Sequence, residues 1–145
     1  MKGGGRCRPG TLINVIKYDG ENINKHYFND YQTHPNENDG WIQFDFVERK
    51  INLTSYTLRT SSDNESYHAK SWRIVGSNDC IEWDVLDQQI DNSSMNGMYQ
   101  KHRFECNKNN NYYQYIKFIQ DDSFYPRRPH NIYMTCIELF GSITI

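Results

Sequence analysis

The sequence lacks several features that would point directly to a function. No apolar run approaches the roughly 20 residues of a membrane-spanning helix, and no stretch repeats apolar residues at helical spacing. Its 4 cysteines stand far apart, without a CxxC pair or a cysteine–histidine cluster of metal-ligand spacing. The net charge is only -2. We therefore expect no membrane insertion, no metal, no cofactor and no nucleic-acid partner.

A catalytic constellation is missing as well. No nucleophile stands in a pattern with a general base, and the glycines at residues 3–5 follow no strand that could form a phosphate-binding loop. The acidic pairs Asp121/Asp122 and Asp84/Asp87 lie in or beside predicted turns, where aspartate is common. We therefore expect a protein that is not an enzyme.

The amino-terminal residues favour an intracellular protein. Residues 1–10 are polar and glycine-rich, without the apolar segment of a secretory signal. We therefore expect a cytoplasmic location with reduced thiols. Three glycosylation sequons, which begin at Asn52, Asn64 and Asn92, are then interpreted as chance occurrences in a chain rich in asparagine and serine.

The chain is rich in aromatic residues. Its 145 residues include 11 Tyr, 7 Phe and 3 Trp, which together make 14% of the sequence. That length and aromatic content can fill one hydrophobic core. We predict a flexible lead at residues 1–10 and a single domain at residues 11–145.

Short alternating runs of apolar and polar residues predict strands. The clearest lie at 72–75 and 83–86, on either side of a polar Gly-Ser-Asn-Asp connection, and predict a β-hairpin. We expect its two tryptophans, Trp72 and Trp83, to be buried, and Trp41 as well. Further strands are predicted at 12–16, 41–46, 50–60, 99–106, 112–120 and 132–140. The pattern predicts an all-β protein, an antiparallel sandwich or barrel.

The ordered motifs resemble those of the discoidin domain, also called the coagulation factor 5/8 type C domain. They are WIQFDF at 41–46, LTSYTLRT at 53–60, KSWRIVGSND at 70–79, YYQYIKFIQ at 112–120 and IELFGSI at 137–143. The resemblance implies a galactose-binding-like jelly-roll β-sandwich, closest to the intracellular branch found beside BTB/Kelch-type proteins. Secreted members usually carry a cysteine where Ser142 stands here, which also favours the intracellular branch.

The same resemblance implies candidate ligand-binding residues. In sugar-binding relatives, an arginine near the strand that matches residues 56–59 and an aromatic residue before the last strand help to hold the ligand. By position these are Arg59 and, in the later loop, Phe124 and Tyr125, with His68 in the neighbouring loop. The alternative is that Arg59 pairs with a local carboxylate, the two aromatics cap the core and His68 is exposed.

Three long polar loops, at 19–40, 61–70 and 121–131, are expected to share one end of the sandwich. An even number of strand crossings separates them, and connections alternate between the two ends in an antiparallel sandwich. Aromatic and polar groups in such loops suit a shallow ligand site. The shared rim would hold Tyr27, His68, Phe124, Tyr125 and Arg127.

We therefore predict a non-catalytic binding module. A protein partner, bound through these loops, is favoured because the most similar branch is intracellular and lies beside adaptor domains. A glycan is the alternative, from the family and the loop aromatics. The pair Arg127 and Arg128, followed by His130, offers a further possibility, an acidic protein segment or a phosphate, since guanidinium groups bind such anions with two hydrogen bonds.

Overall fold

The computed structural model of the chain describes residues 2–3, 40–60 and 67–144. The predicted strand at 12–16, Cys7 and Tyr27 lie outside these residues. In the described part the elements are β1 (Lys2–Gly3), β2 (Trp41–Asp45), β3 (Ile51–Thr60), β4 (Ala69–Ser77), β5 (Asp84–Gln89), a 3-10 helix (Ser93–Met95), β6 (Lys101–Glu105), β7 (Tyr115–Ser123) and β8 (Met134–Ile143). Over these ranges, no helix is both long and apolar enough to cross a membrane.

The strands form two antiparallel sheets. The order is β1-β2-β7-β4-β5 in the larger sheet and β6-β3-β8 in the smaller one. This arrangement confirms the predicted antiparallel β-sandwich, and the pairing of β4 with β5 confirms the predicted hairpin. Residues 2–3, within the predicted lead, pair with β2.

The core lies between the sheets because alternate side chains of each strand point inward. Ile116 and Phe118 of β7 are fully buried, as are Tyr56 and Leu58 of β3 on the facing sheet. Burial of each such side chain contributes about 1.5–3 kcal/mol to the hydrophobic stabilisation of the fold. The core also includes Ile42, Ile51, Leu53, Trp72, Ile74, Leu86, Met95, Tyr113, Ile132, Met134 and Ile137.

The tryptophans do not share one environment. Trp72 is 0% exposed, which confirms its predicted burial. Trp41 and Trp83, which were also predicted to be largely buried, are half-buried and so less completely covered than Trp72. Trp41 precedes the core residue Ile42, so strand alternation places its indole on the outer face of the larger sheet. Trp83 ends the β4–β5 connection, and its ring lies over Lys117 on the same outer face.

All four aspartates that were predicted in or beside turns belong to strands. Asp121 lies in β7, where both carboxylate oxygens accept hydrogen bonds from the guanidinium of Arg73, at 2.8 and 2.9 Å. Asp87 lies in β5 and is 7% exposed. Its carboxylate is satisfied by the hydroxyl of Tyr56 and the amide of Gln89. Specific partners, on the neighbouring strand for Asp121 and on the facing sheet and the same strand for Asp87, therefore satisfy these carboxylates within the sheets.

The antiparallel pairing gives the sandwich two distinct ends. Ala69 pairs with Ser123, and Thr60 with Met134, so the connections at 90–100 and 124–133 emerge at the same end as residues 67–68, which lead into β4. We call this the long-loop end. The connections at 46–50, 78–83 and 106–114 emerge at the opposite end, which we call the hairpin end.

Candidate ligand-binding site

Two of the predicted loops meet at the long-loop end. The backbone N–H of Phe124 donates to the carbonyl oxygen of His68, at 3.0 Å. The ring of Tyr67 lies 4.7 Å from that of Tyr125 and 4.8 Å from that of Tyr133, centroid to centroid. The third predicted loop lies outside the described residues except for Gly40, whose carbonyl accepts from the N–H of Gln120.

These three tyrosines, Tyr67, Tyr125 and Tyr133, form what we call the tyrosine rim. Each is half-buried, because each ring packs against a neighbour and leaves part of its surface in water. Centroid separations of this size are those of favourable aromatic pairs. The rim therefore presents apolar ring surface together with phenolic hydroxyls at one end of the molecule.

A network of side-chain hydrogen bonds holds the β7–β8 loop in place beneath the rim. The hydroxyl of Ser123 lies 3.0 Å from the carbonyl oxygens of both Tyr125 and Arg128. The carboxamide of Gln120 donates to the carbonyls of Pro129 and Asn131. Ser123 and Gln120 are both buried, so the loop backbone is fixed from the sheet side. Tyr125 is consequently presented on a rigid support.

The entry to β2 also packs tightly against this loop. A Cβ atom at Gly40 would lie 2.1 Å from the carbonyl oxygen of His130, so only glycine fits there. The imidazole Nδ1 of His130 lies 3.0 Å from the carbonyl oxygen of Gln120. His130 is therefore part of the loop support.

The structure places the other predicted ligand residues in different environments. Phe124 is half-buried, and Arg127 is exposed at the tip of the loop. His68 is 1% exposed, so its backbone joins the loops while its imidazole lies inside. Tyr27 lies outside the described residues.

Arg59 lies near the end of β3, on the outer face of the smaller sheet. The side chains of Tyr56 and Leu58 point into the core. Because side chains alternate along a strand, that of Arg59 points to the other face of the sheet. Its guanidinium carbon lies 5.3 Å from the ring centroid of Tyr99, and the residue is 7% exposed. Arg59 therefore stacks on an aromatic ring, which neither the ligand interpretation nor the carboxylate interpretation included.

Sequence reasoning missed two members of the rim. Tyr133 stands between Ile132 and Met134, which are 0% and 3% exposed, so alternation turns its side chain outward. That signal could have been read from the sequence. For Tyr67 no such signal existed, because it follows a polar loop and precedes the first residue of β4 by two positions.

A cavity of about 520 Å³ lies at the hairpin end. Several asparagines contribute to its wall, and Asn52 donates hydrogen bonds to the carbonyls of Asn109 and Asn111. Burial raises the pKa of the Cys106 thiol in this wall to about 12, so it stays protonated and is a poor nucleophile. The lining is Asn52, Leu53, Thr54, Glu105, Cys106, Asn107, Lys108, Asn109 and Asn110, and it offers no aromatic ring.

No group of three or more His, Cys, Asp or Glu side chains could hold a metal ion within residues 40–60 and 67–144. The tyrosine rim offers aromatic rings and phenolic hydroxyls, and the exposed Arg127 offers a guanidinium. Such groups bind ligands by stacking and hydrogen bonding.

Neither a protein-family model nor a curated protein sequence matches the chain. Several solved structures, in contrast, are similar to this chain. The CBM62 module of Xyl5A from Clostridium thermocellum has a TM-score of 0.66 and 17% identity, over 98% of this chain and 93% of that chain. The CBM32-6 module of CpGH89 from Clostridium perfringens has a TM-score of 0.62 and 15% identity, over 97% and 93%.

A fragment of a putative chitobiase from Bacteroides thetaiotaomicron has a TM-score of 0.54 and 12% identity. That match covers 70% of this chain and 59% of the fragment. Together with the sheet order, these structures confirm the predicted fold class, a galactose-binding-like jelly-roll β-sandwich. The relation to the BTB/Kelch branch stays a prediction.

Proposed function

We propose that this chain is a carbohydrate-binding module without catalytic activity and that it holds its glycan at the tyrosine rim. The observation that carries the proposal is the meeting of Tyr67, Tyr125 and Tyr133 at one end, beside the exposed Arg127. The apolar CH faces of a pyranose ring stack on aromatic rings. Its hydroxyls need donors and acceptors, which phenolic and guanidinium groups supply.

A glycan is preferred here to the protein partner that the sequence favoured. The similar structures are named carbohydrate-binding modules, and the fold they share with this chain supports the same class of ligand. The rim itself also fits a small polar ligand. It consists of a few rings on a fixed loop rather than the broad apolar surface typical of a stable protein interface.

A glycan array with the purified chain tests the proposal. We expect the wild-type chain to retain at least one glycan, and titration calorimetry with that glycan to show that Tyr125→Ala lowers its affinity at least tenfold. Tyr125→Phe keeps the ring and should keep most of the affinity. The matched control is Tyr112→Ala, which removes a tyrosine that is 38% exposed at the hairpin end.

The result is interpreted together with the melting temperature of each variant. Unchanged affinity in a folded Tyr125→Ala chain would place the site elsewhere. An array without any retained glycan, together with a protein captured through Tyr125, would overturn the proposal in favour of a protein partner.

A further inference from the structure

Lys117 lies on the outer face of the larger sheet, between two indole rings. Its neighbours Ile116 and Phe118 are 0% exposed and face the core, so the side chain of Lys117 points to the outer face of the sheet. Its Nζ atom lies 4.0 Å from the ring centroid of Trp83 and 4.9 Å from that of Trp41. We call these three residues the Trp–Lys–Trp platform. All three are half-buried, so part of each faces water.

The backbone brings these residues together from separate strands. Lys117 of β7 pairs with Gln43 of β2 on one side and with Val75 of β4 on the other. Trp41 stands two residues before Gln43 on the same face of β2. The platform therefore extends across the outer face of the sheet, whereas the tyrosine rim lies on the connections at the long-loop end.

The position of Trp83 is fixed by the loop that carries it. A carboxylate oxygen of Asp79 accepts the backbone N–H groups of Ile81 and Glu82, at 2.8 and 2.9 Å. The hydroxyl of Ser77 accepts the N–H of Cys80, at 2.9 Å. These bonds hold the β4–β5 connection folded and so fix the backbone that leads to Trp83.

The ammonium of Lys117 has no anionic partner in the part of the chain that the structure describes. In residues 40–60 and 67–144, ion pairs form at Lys70, Arg73, Lys101 and Arg103, and none of them includes Lys117. Removal from water by its surroundings lowers the pKa of Lys117, an effect that the nearby Cys80 thiol opposes. Indole faces attract a cation but accept no strong hydrogen bond. Lys117 is thus a partly dehydrated cation whose N–H donors lack an acidic acceptor among these residues.

We propose that the Trp–Lys–Trp platform is a second saccharide site, specific for acidic sugars, in which Lys117 binds the carboxylate of a uronic acid residue. The CH groups of the sugar rings contact the exposed parts of the indoles of Trp41 and Trp83. Because Trp41 belongs to β2, on one side of β7, and Trp83 leads into β5, beyond β4 on the other side, the fitting ligand is an oligosaccharide that contacts both indoles rather than a single sugar. The proposal extends glycan binding, on which it rests for its class of ligand, to a different face.

Trigalacturonate and its methyl ester are the matched ligands for a test, since they share stereochemistry and differ in charge. We expect wild-type chain to bind the acid at least tenfold more tightly than the ester. Lys117→Met keeps a linear apolar side chain and should remove this preference. Lys117→Arg keeps the cation and should retain it within about threefold, since guanidinium also pairs with a carboxylate.

Localisation of the ligand uses the indole N–H signals in a proton–nitrogen NMR spectrum. Trigalacturonate should shift the signals of Trp41 and Trp83 and leave that of the buried Trp72 in place. Tyr125→Ala should bind trigalacturonate like the wild-type chain, because the rim lies at a different place. Loss of both neutral and acidic ligands in Tyr125→Ala would show a single site at the rim and overturn the platform.

The failures of the two proposals can be told apart. If no neutral glycan binds at the rim while the acid preference depends on Lys117, the platform stands and the rim fails. If Lys117→Met binds trigalacturonate as tightly as the wild-type chain, or the folded wild-type chain binds none at millimolar concentration, the platform proposal is overturned. This holds regardless of whether a neutral glycan binds at the rim.

Discussion

The hydroxyl of Tyr56 donates a hydrogen bond of 2.6 Å to the carboxylate of Asp87, and this bond joins the two sheets of the sandwich. Tyr56 belongs to β3 in the smaller sheet, and Asp87 to β5 in the larger one. The indole N–H of Trp72 donates to the same hydroxyl, at 2.8 Å. Burial, followed by the bond to Asp87, raises the pKa of Tyr56 far above its usual range. The hydroxyl therefore stays protonated and remains a donor.

Tyr56→Phe is expected to lower the free energy of unfolding by about 1–3 kcal/mol, because it leaves buried polar groups without partners. The N–H of Trp72 loses its acceptor and the carboxylate of Asp87 loses a donor. Urea denaturation measures the change, and Tyr112→Phe, at an exposed position, is the control. Equal unfolding midpoints for Tyr56→Phe and wild type would contradict the importance of this bond.

Trp72→Ala and Trp83→Ala should differ strongly in their effect on stability. Trp72 is 0% exposed, and large-to-small changes of buried aromatics cost about 3–5 kcal/mol. Trp83 is half-buried outside the core, so its removal should cost clearly less. Melting temperatures of the two variants, measured side by side, provide the comparison. A Trp83→Ala chain as unstable as Trp72→Ala would mean that the outer face stabilises the fold as much as the core does.

The described thiols should differ in reactivity. Cys80, Cys106 and Cys136 are free, but only Cys80 is exposed. Burial raises the pKa of Cys106 and of Cys136 to about 12, so neither thiol ionises near neutral pH. Iodoacetamide at pH 8 should therefore modify Cys80 in the native chain and the other two only after denaturation. Peptide mapping by mass spectrometry decides this, and native modification of Cys136 would contradict the structure.

The same thiols bear on the expected intracellular location. If no disulfide closes a loop in the native chain, dithiothreitol should leave the melting temperature unchanged. A fall of several degrees in dithiothreitol would argue for an oxidised protein. It would also reopen the interpretation of the three sequons.

Strand alternation predicted the two faces of β7: Ile116 and Phe118 face the core, and Tyr115 and Lys117 do not. The same pattern wrongly grouped Tyr113 with Tyr115, whereas Tyr113 precedes the strand and is buried in the core. Alternation gives the face of a residue but not its neighbours on other strands. The meeting of Lys117 with two tryptophans depends on the order β2-β7-β4, which the sequence alone does not state.

Gly76 illustrates the same limit. It was predicted in the turn of the hairpin, but β4 continues through it to Ser77. A Cβ atom at Gly76 would lie 2.7 Å from the ring of Tyr113, so the glycine permits a close packing contact rather than a turn. Long-range packing of this kind leaves no local signal in the chain.

For the candidate site, the count of strand crossings correctly brought the loops at 61–70 and 121–131 together. It could not predict that the imidazole of His68 turns inward, since residues at a strand end follow no fixed parity. Nor could it predict that Arg59 stacks on Tyr99, because that ring lies on a connection without alternation.

The central position of β3 in the smaller sheet has a consequence for biosynthesis. Ile51 pairs with Ile143 and Thr60 with Met134, so β3 cannot complete its sheet until β8 has emerged from the ribosome. At about 5–20 residues per second, the wait lasts several seconds. Throughout that time the apolar side chains of Leu53, Tyr56 and Leu58 lack their final cover. A nascent chain stalled before β8 is therefore expected to be a chaperone substrate, because its sandwich cannot yet close.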